Sequence, residues 1–211
     1  LFNILMSMPE IGGDATKLPA VTARALMTGM TTDTNNFKNS VFPSTLEMAS
    51  SLLAAGVDRD EIISRLYQSG RENSVRLWGY MLYENMKITS DGVAYMILNA
   101  ETAKKFDLKE GETEGLVNEP LKIDNVRMSI FLKEDGDGFY RVSIRTKKGV
   151  SAVKCSASYF HGGGHENASG GRLFFKPVDG RPADINAPEE AEKYIIDKTS
   201  VYFADGSYES R

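Results

Sequence analysis

From residue 126 the chain reads VRMSIFLKE, then DGDG, then FYRVSIRTK, two stretches of alternating polarity joined by a turn. Successive strand side chains point to opposite faces. Val126, Met128, Ile130 and Leu132 therefore share one face of the first stretch, and Tyr140, Val142 and Ile144 share one face of the second. That is a β-hairpin with one apolar side. The other side of its second strand carries Arg141, Ser143, Arg145 and Lys147. The Asp-Gly-Asp-Gly at 135–138 lacks the remaining ligands and the closing Glu of a calcium loop, so it reads as the hairpin turn.

Upstream the spacing is helical. TKLPAVTARALMTGM (17–30) predicts a helix with Pro19 in its first turn and Val21, Ala25 and Thr28 on one face. PSTLEMASSLLAAG (43–56) predicts a second, with Ser44 and Glu47 spaced as a capping box and Gly56 as its stop. DRDEIISRLYQS (58–69) repeats the pattern with Asp58 as cap, and an amphipathic stretch follows from about Glu72 to Lys87. Beyond residue 90 the two spacings mix. Strands are expected over 91–100 and 171–177, and helices over 101–107, 151–159 and 188–202. The expected fold class is α/β: an incomplete helical domain over 1–88, then an α/β domain with a mixed sheet over 89–211.

Hydrophobic residues make up 41% of the 211, enough for a sizeable core. A net charge of −4 and a pI near 5.4 argue against broad capture of duplex nucleic acid and leave room for a local basic pocket. The single cysteine, Cys155, excludes an internal disulfide framework and any multi-cysteine zinc site, and it suits a reducing, cytoplasmic compartment. No run approaches about 18 apolar residues, so no membrane-spanning helix is expected. The opening LFNILMSMPEIGGD has neither a basic n-region nor a small-residue cleavage site and no initiator Met, and it reads as the interior of a larger domain.

Two stretches carry candidate chemistry. SYFHGGGHENASGG (158–171) sets Gly162, Gly163 and Gly164 before His165, one of the two histidines. Consecutive glycines let a backbone approach a ligand and turn its N–H groups on an anion. A phosphate fits such a loop, with a helical turn near 166–169 as a further donor; a plain glycine turn bearing a surface histidine is the alternative. P-loop and dinucleotide fingerprints are excluded by the missing Gly-Lys-Ser/Thr and third glycine. Ser143 and Arg145, two apart on one strand, point the same way, and the Arg fork matches phosphate oxygens, although an exposed strand arginine is the simpler reading. The second stretch, TTDTNNF (31–37), holds Asp33, which can cap a turn or bind a hard divalent cation. One carboxylate cannot hold a catalytic metal pair. Tyr159, Phe160 and Phe174 are candidates for stacking on a base.

Taken together, TTDTNNF, EGLVN (114–118), RVSIRTKKGV (141–150) and FHGGGHENASGG (160–171) resemble the DHH/DHHA1 phosphoesterases, in particular the NrnA-like branch of oligoribonucleases and pAp phosphatases. The resemblance implies a DHH part that holds two Mn²⁺ ions and a DHHA1 domain that closes over the substrate. It implies manganese-dependent hydrolysis of short single-stranded RNA, other oligonucleotides, dinucleotides or pAp, by a cytoplasmic protein that is open to forming a homodimer. By the same resemblance Asp33 is a catalytic metal ligand and Arg145, with Ser143 beside it, grips the substrate phosphate. Gly162, Gly163, Gly164 and His165 form the substrate loop, His165 with a catalytic part, and Asn118 contacts substrate. The family's H-x-x-D-x-D and D-H-H motifs do not occur in residues 1–211. The full two-metal site is therefore expected to lie outside this chain, which by itself should not hydrolyse phosphodiesters. DTNNF is also similar to the cyclic-di-AMP phosphodiesterases, which leaves linear dinucleotides such as pApA and cyclic ones both open. A non-catalytic nucleotide-binding module is the remaining alternative.

Overall fold

The computed structural model describes residues 1–38, 41–136, 138–204, 206, 208 and 209; Asp137, in the expected hairpin turn, lies outside the described residues. The chain divides into two compact units, Leu1–Gly70 and Arg71–Arg211.

The first unit is helical, with α1 (Phe2–Met6), a 3₁₀ turn at Ala15–Lys17, α2 (Ala20–Asp33), α3 (Pro43–Ala54) and α4 (Arg59–Tyr67). Pro19 stands just ahead of α2 rather than within its first turn. The buried stripe of α2 is Ala23, Met27 and Thr31, while Val21 is 75% exposed. Val21, Ala25 and Thr28 are thus not the packed face. Met27 packs with Ala49 and Leu52 of α3 and with Ile62 of α4, and these neighbours select the stripe. The expected Ser44–Glu47 box is replaced two residues earlier by Phe42 and Thr45, whose hydroxyl accepts the Phe42 N–H. Asp58 caps α4 as expected, accepting the Glu61 N–H at 2.9 Å. Phe42, Leu46 and Leu53 recur at helical spacing along α3 and stay exposed.

In the second unit, α5 (Glu72–Tyr80) runs through a π-helical turn (Met81–Asn85) into β1 (Lys87–Ile88) and β2 (Val93–Leu98). There follow α6 (Ala100–Lys105), a 3₁₀ turn (Leu116–Lys122), β3 (Met128–Asp135), β4 (Phe139–Thr146), α7 (Ala152–Tyr159), β5 (Gly163–His165), β6 (Ala168–Phe174), a 3₁₀ turn (Pro188–Glu190) and α8 (Ala191–Ala204). The six strands form one sheet in the order β1-β2-β3-β4-β6-β5. It is mixed, because β2 and β3 pair in parallel and the other neighbours pair antiparallel. The fold is therefore α/β with a mixed sheet. The units divide at residue 70, ahead of the change in sequence pattern near 88. The cause is α5 with the π-helical turn after it, helical like the first unit but burying Leu77 and Met81 beside Met96, Leu98 and Phe131 of the sheet.

Both faces of the central strands are covered. Val93, Ile130, Leu132, Tyr140, Val142 and Ile144 meet Cys155 of α7 and Ile195 and Tyr202 of α8. Met96, Leu98 and Phe131, on the other face, meet α5 and the 3₁₀ turn that begins at Leu116. Strands covered on both faces read as near-continuous apolar runs, as VAYMIL of β2 does.

Cys155 is fully buried, and burial pushes its thiol up to about 12, so the reactive thiolate is scarce near neutrality. Alkylation by iodoacetamide at pH 8 is expected only at the rate at which this unit opens. Addition of denaturant should accelerate it by orders of magnitude, as measured by intact mass.

Candidate functional site

Strand register decides which residues of the second unit can act together. Ser129 pairs with Arg145, Arg145 with Ala168, and Ala168 with His165. Directly paired residues project to the same face, so Arg145 and His165 share one cross-strand row, two strands apart and about 10 Å from each other. The next row is Phe131, Ser143, Gly170 and Gly163, and the row after it is Lys133, Arg141 and Arg172. The open face is therefore a bare floor at Gly163 and Gly170, rimmed by cationic side chains.

A cleft of about 490 Å³ lies against this face, with Lys133, Arg141, Ser143 and Arg145 on the sheet side and Glu110, Gly111, Thr113, Glu114 and Gly115 on the other. Arg145 is half-buried, and its Nη1 donates to the carbonyls of Ile144 at 2.9 Å and Ser169 at 3.4 Å. Among the described residues no carboxylate pairs with it. Burial holds its pKa below the ordinary arginine value, yet a guanidinium stays charged at neutral pH. A charge removed from water without a counter-ion is costly, so an anion arriving here is stabilised by a group that lacks one. Arg141 is bound to Asp135 at 2.6 Å, and Arg172 stacks over the Phe139 ring at 4.9 Å. Glu110 and Glu114 keep the loop side acidic, which confines the cationic strip to the sheet.

The Gly₃-His stretch is not the loop that its composition suggests. Gly163–His165 is an edge strand paired to β6, and residues 166–167 are the turn between them, so the further helical turn expected near 166–169 does not form. The reason is close packing. A Cβ on Gly162 would lie 1.9 Å from the Gly170 carbonyl and 2.4 Å from Ser156 Oγ of α7. One on Gly164 would lie 2.7 Å from the Ala168 carbonyl, and one on Gly171 would lie 2.2 Å from that of Phe160. Gly162 and Gly171 let the sheet edge close on α7 and Phe160 after it, and Gly164 lets β5 close on β6. Gly163 points to the open face and has nothing within 4 Å.

His165 is exposed, and the turn beneath it is tied down by Asn167. That side-chain amide donates to Thr146 Oγ1 and to the Lys147 and Val150 carbonyls at 3.0–3.3 Å. His161 serves structure, its Nε2 lying 2.7 Å from Asp184 Oδ1. Asn118 is exposed in the 3₁₀ turn next to Val117, which lines the cleft. Of the candidate stacking rings, Phe160 is fully buried and Tyr159 packs edge-on against Tyr202, so neither is free to meet a base. Phe174 is 3% exposed, beneath Arg181.

Asp33 belongs to the first unit. It is the exposed last residue of α2, ahead of three left-handed residues, Asn35, Asn36 and Phe37, at φ of 48°, 57° and 61°. Asn36 Oδ1 accepts from Arg59 Nη2 at 2.6 Å. Among the described residues no group of three or more His, Cys, Asp and Glu can hold a metal ion. The described residues therefore do not by themselves supply a donor set for manganese.

The sequence pattern pointed to Arg141, Ser143 and Arg145 but not to Lys133, Arg172 or Asn167. Nor did it show what holds the loop at 107–115, where Arg71 bridges Asp107 at 2.7 Å and Glu112 at 3.3 Å. The ion pairs there join residues distant in sequence, which no local pattern displays.

Residues 90–174 match the family described as the DHHA1 domain. Over 162 residues it is 35% identical to a probable bifunctional oligoribonuclease and PAP phosphatase NrnA of Streptococcus mutans serotype c, a match covering 75% of this chain and 50% of that protein. It is 29% identical to the bifunctional oligoribonuclease and PAP phosphatase NrnA of Bacillus subtilis, over 75% of this chain and 49% of that one. A crystal structure of an exopolyphosphatase-related protein from Bacteroides fragilis has a TM-score of 0.79 and 34% identity, covering 93% of this chain and 54% of the other. The chain spans about half the length of the curated relatives it matches.

The glycines separate in a simple experiment. Gly162→Ala is expected to cost about 3 kcal/mol, because the new Cβ drives into backbone. Gly163→Ala should stay within about 0.5 kcal/mol of the parent. Urea unfolding of the two variants checks this, and equal losses would contradict it.

Proposed function

We propose that this chain supplies the substrate-binding part of a phosphoesterase that acts on short oligoribonucleotides, linear dinucleotides or pAp. The observation that carries the reading is Arg145: a half-buried guanidinium without a carboxylate partner, at the wall of a cleft, on a face shared with Ser143, Lys133 and His165. Two relatives of this chain bear the names of oligoribonucleases and PAP phosphatases, which supports a phosphorylated nucleotide as the ligand.

In this reading Arg145 offers its remaining N–H donors as a fork to a terminal phosphate, and the Ser143 hydroxyl donates beside it. The strip formed by Gly163 and Gly170 has no side chains, so a sugar or base lies directly against the sheet. His165 meets the far end of the ligand across that strip, and Asn118 approaches from the loop side. Asp33 serves as a manganese ligand only together with donors that the described residues do not provide. The described residues are assigned binding and orientation, not hydrolysis. A cytoplasmic setting and a homodimer accompany the proposal without a residue of their own to carry them.

Calorimetric titration with the 5′-phosphorylated dinucleotide pApA tests it. Saturable binding is expected, weakened in Arg145→Ala by about 2 kcal/mol, a factor of about 30, and only partly restored in Arg145→Lys, which keeps the charge but not the fork. Gly163→Leu should weaken binding without lowering Tm. The chain alone, with Mn²⁺ added, should leave the dinucleotide intact by chromatography. Equal binding by the parent and Arg145→Ala, or none by either, would sink the assignment.

A further inference from the structure

On the opposite face of the sheet from Arg145 lies a second cleft of about 490 Å³. Its lining includes Glu101, Glu134, Glu189 and Glu192, with Tyr140 and Ile97. Glu134 is the cross-strand partner of Tyr140 and projects to the same face. Tyr140 is 2% exposed, its ring packed edge-on against Phe175 at 5.2 Å, and among the described residues its hydroxyl has no hydrogen-bond partner. Tyr140 lines the cleft, so this hydroxyl opens on the cleft and not on other protein groups. Burial, with Glu134 and Glu189 adding to it, pushes this phenol up to about 12, so it stays protonated and keeps its acceptor lone pairs.

The four carboxylates are unequally satisfied. Glu192 is held by Lys87 Nζ at 2.7 Å and by the Tyr95 hydroxyl at 3.0 Å, and Glu134 accepts the Ala100 N–H at 2.8 Å. Glu101 and Glu189 have no cationic partner among the described residues. No three of these groups converge closely enough to hold a metal ion, so the negative charge is spread along the cleft instead of focused at a point. An ammonium group carries three donors and no acceptor, which matches a wall of carboxylates and one unpartnered phenol oxygen. Between the acidic positions Ile97 offers apolar surface, suited to a methylene chain.

We propose that this cleft binds a linear polyamine, with one ammonium received by the Tyr140 hydroxyl and Glu189, another by Glu101, and the chain between them passing over Ile97. It lies on the face turned away from the phosphate-binding candidates and does not depend on them.

The test is calorimetric titration of the full chain with spermidine at 150 mM NaCl, a condition that screens loose surface attraction. One saturable site is expected. Tyr140→Phe, which keeps the ring and its packing, should weaken it about tenfold. The double variant Glu101→Gln, Glu189→Gln should abolish it, while Glu47→Gln on α3 should leave it unchanged. Thermal unfolding of each variant guards against a folding defect: Tyr140→Phe is expected to melt near the parent temperature, because the ring and its packing against Phe175 are kept. Absence of saturable binding by the parent would overturn the proposal. So would equal affinity in the parent, Tyr140→Phe and the double variant, or saturation of the same site by Mg²⁺ alone, which would mark a point-cation site.

Discussion

The pleat of β4 decides where the candidate side chains of the second unit point. Tyr140, Val142 and Ile144 are held in the core under α7 and α8, so Arg141, Ser143 and Arg145 must project from the other face. A slip of one residue in register would bury the arginines and expose the core set. The eight cross-strand pairs to β3 and seven to β6 make such a slip expensive. The placement of Arg145 is in this sense a by-product of hydrophobic packing on the far side of the sheet.

The same logic runs through the glycines. Backbone can lie against backbone at the edge of this sheet only where no Cβ intervenes: Gly162 meets Ser156 of α7 and the Gly170 carbonyl, Gly171 meets Phe160 just past α7, and Gly164 meets Ala168 and Ser169 of β6. Alternation then leaves Gly163 and Gly170 on the open face as a side-chain-free floor. One run of small residues thus meets two demands, tight closure on one side and access on the other. Asn167 fixes the turn so that the edge strand does not peel from its neighbour.

Much of this was legible in the sequence, and the exceptions have identifiable causes. The β3–β4 hairpin could be read with its correct faces, because its alternation is strong and the buried side chains are large. Helix α4 was legible from Asp58, whose cap forms as its spacing indicates. The packed face of α2 was not legible: its alanines, threonines and methionines differ too little in hydrophobicity for periodicity to choose, and Met27 is selected by Leu52 and Ile62. The edge strand at 163–165 was mistaken for a loop because glycine disfavours strands, a local preference overridden by pairing to β6. Lys133 follows the apolar run of β3, and only the register shows it beside Arg141.

The one tryptophan of the chain has an unusual seat. Trp78 Nε1 donates to the Glu112 carbonyl at 2.8 Å, and its ring edge lies 3.4 Å from where a Cβ of Gly115 would stand. Gly115 belongs to the wall of the cleft that faces Arg145. The indole therefore touches the back of the same segment whose front borders the cleft. Its emission wavelength and quenching report on that segment without any added dye, so the protein carries an optical gauge of its own cleft wall.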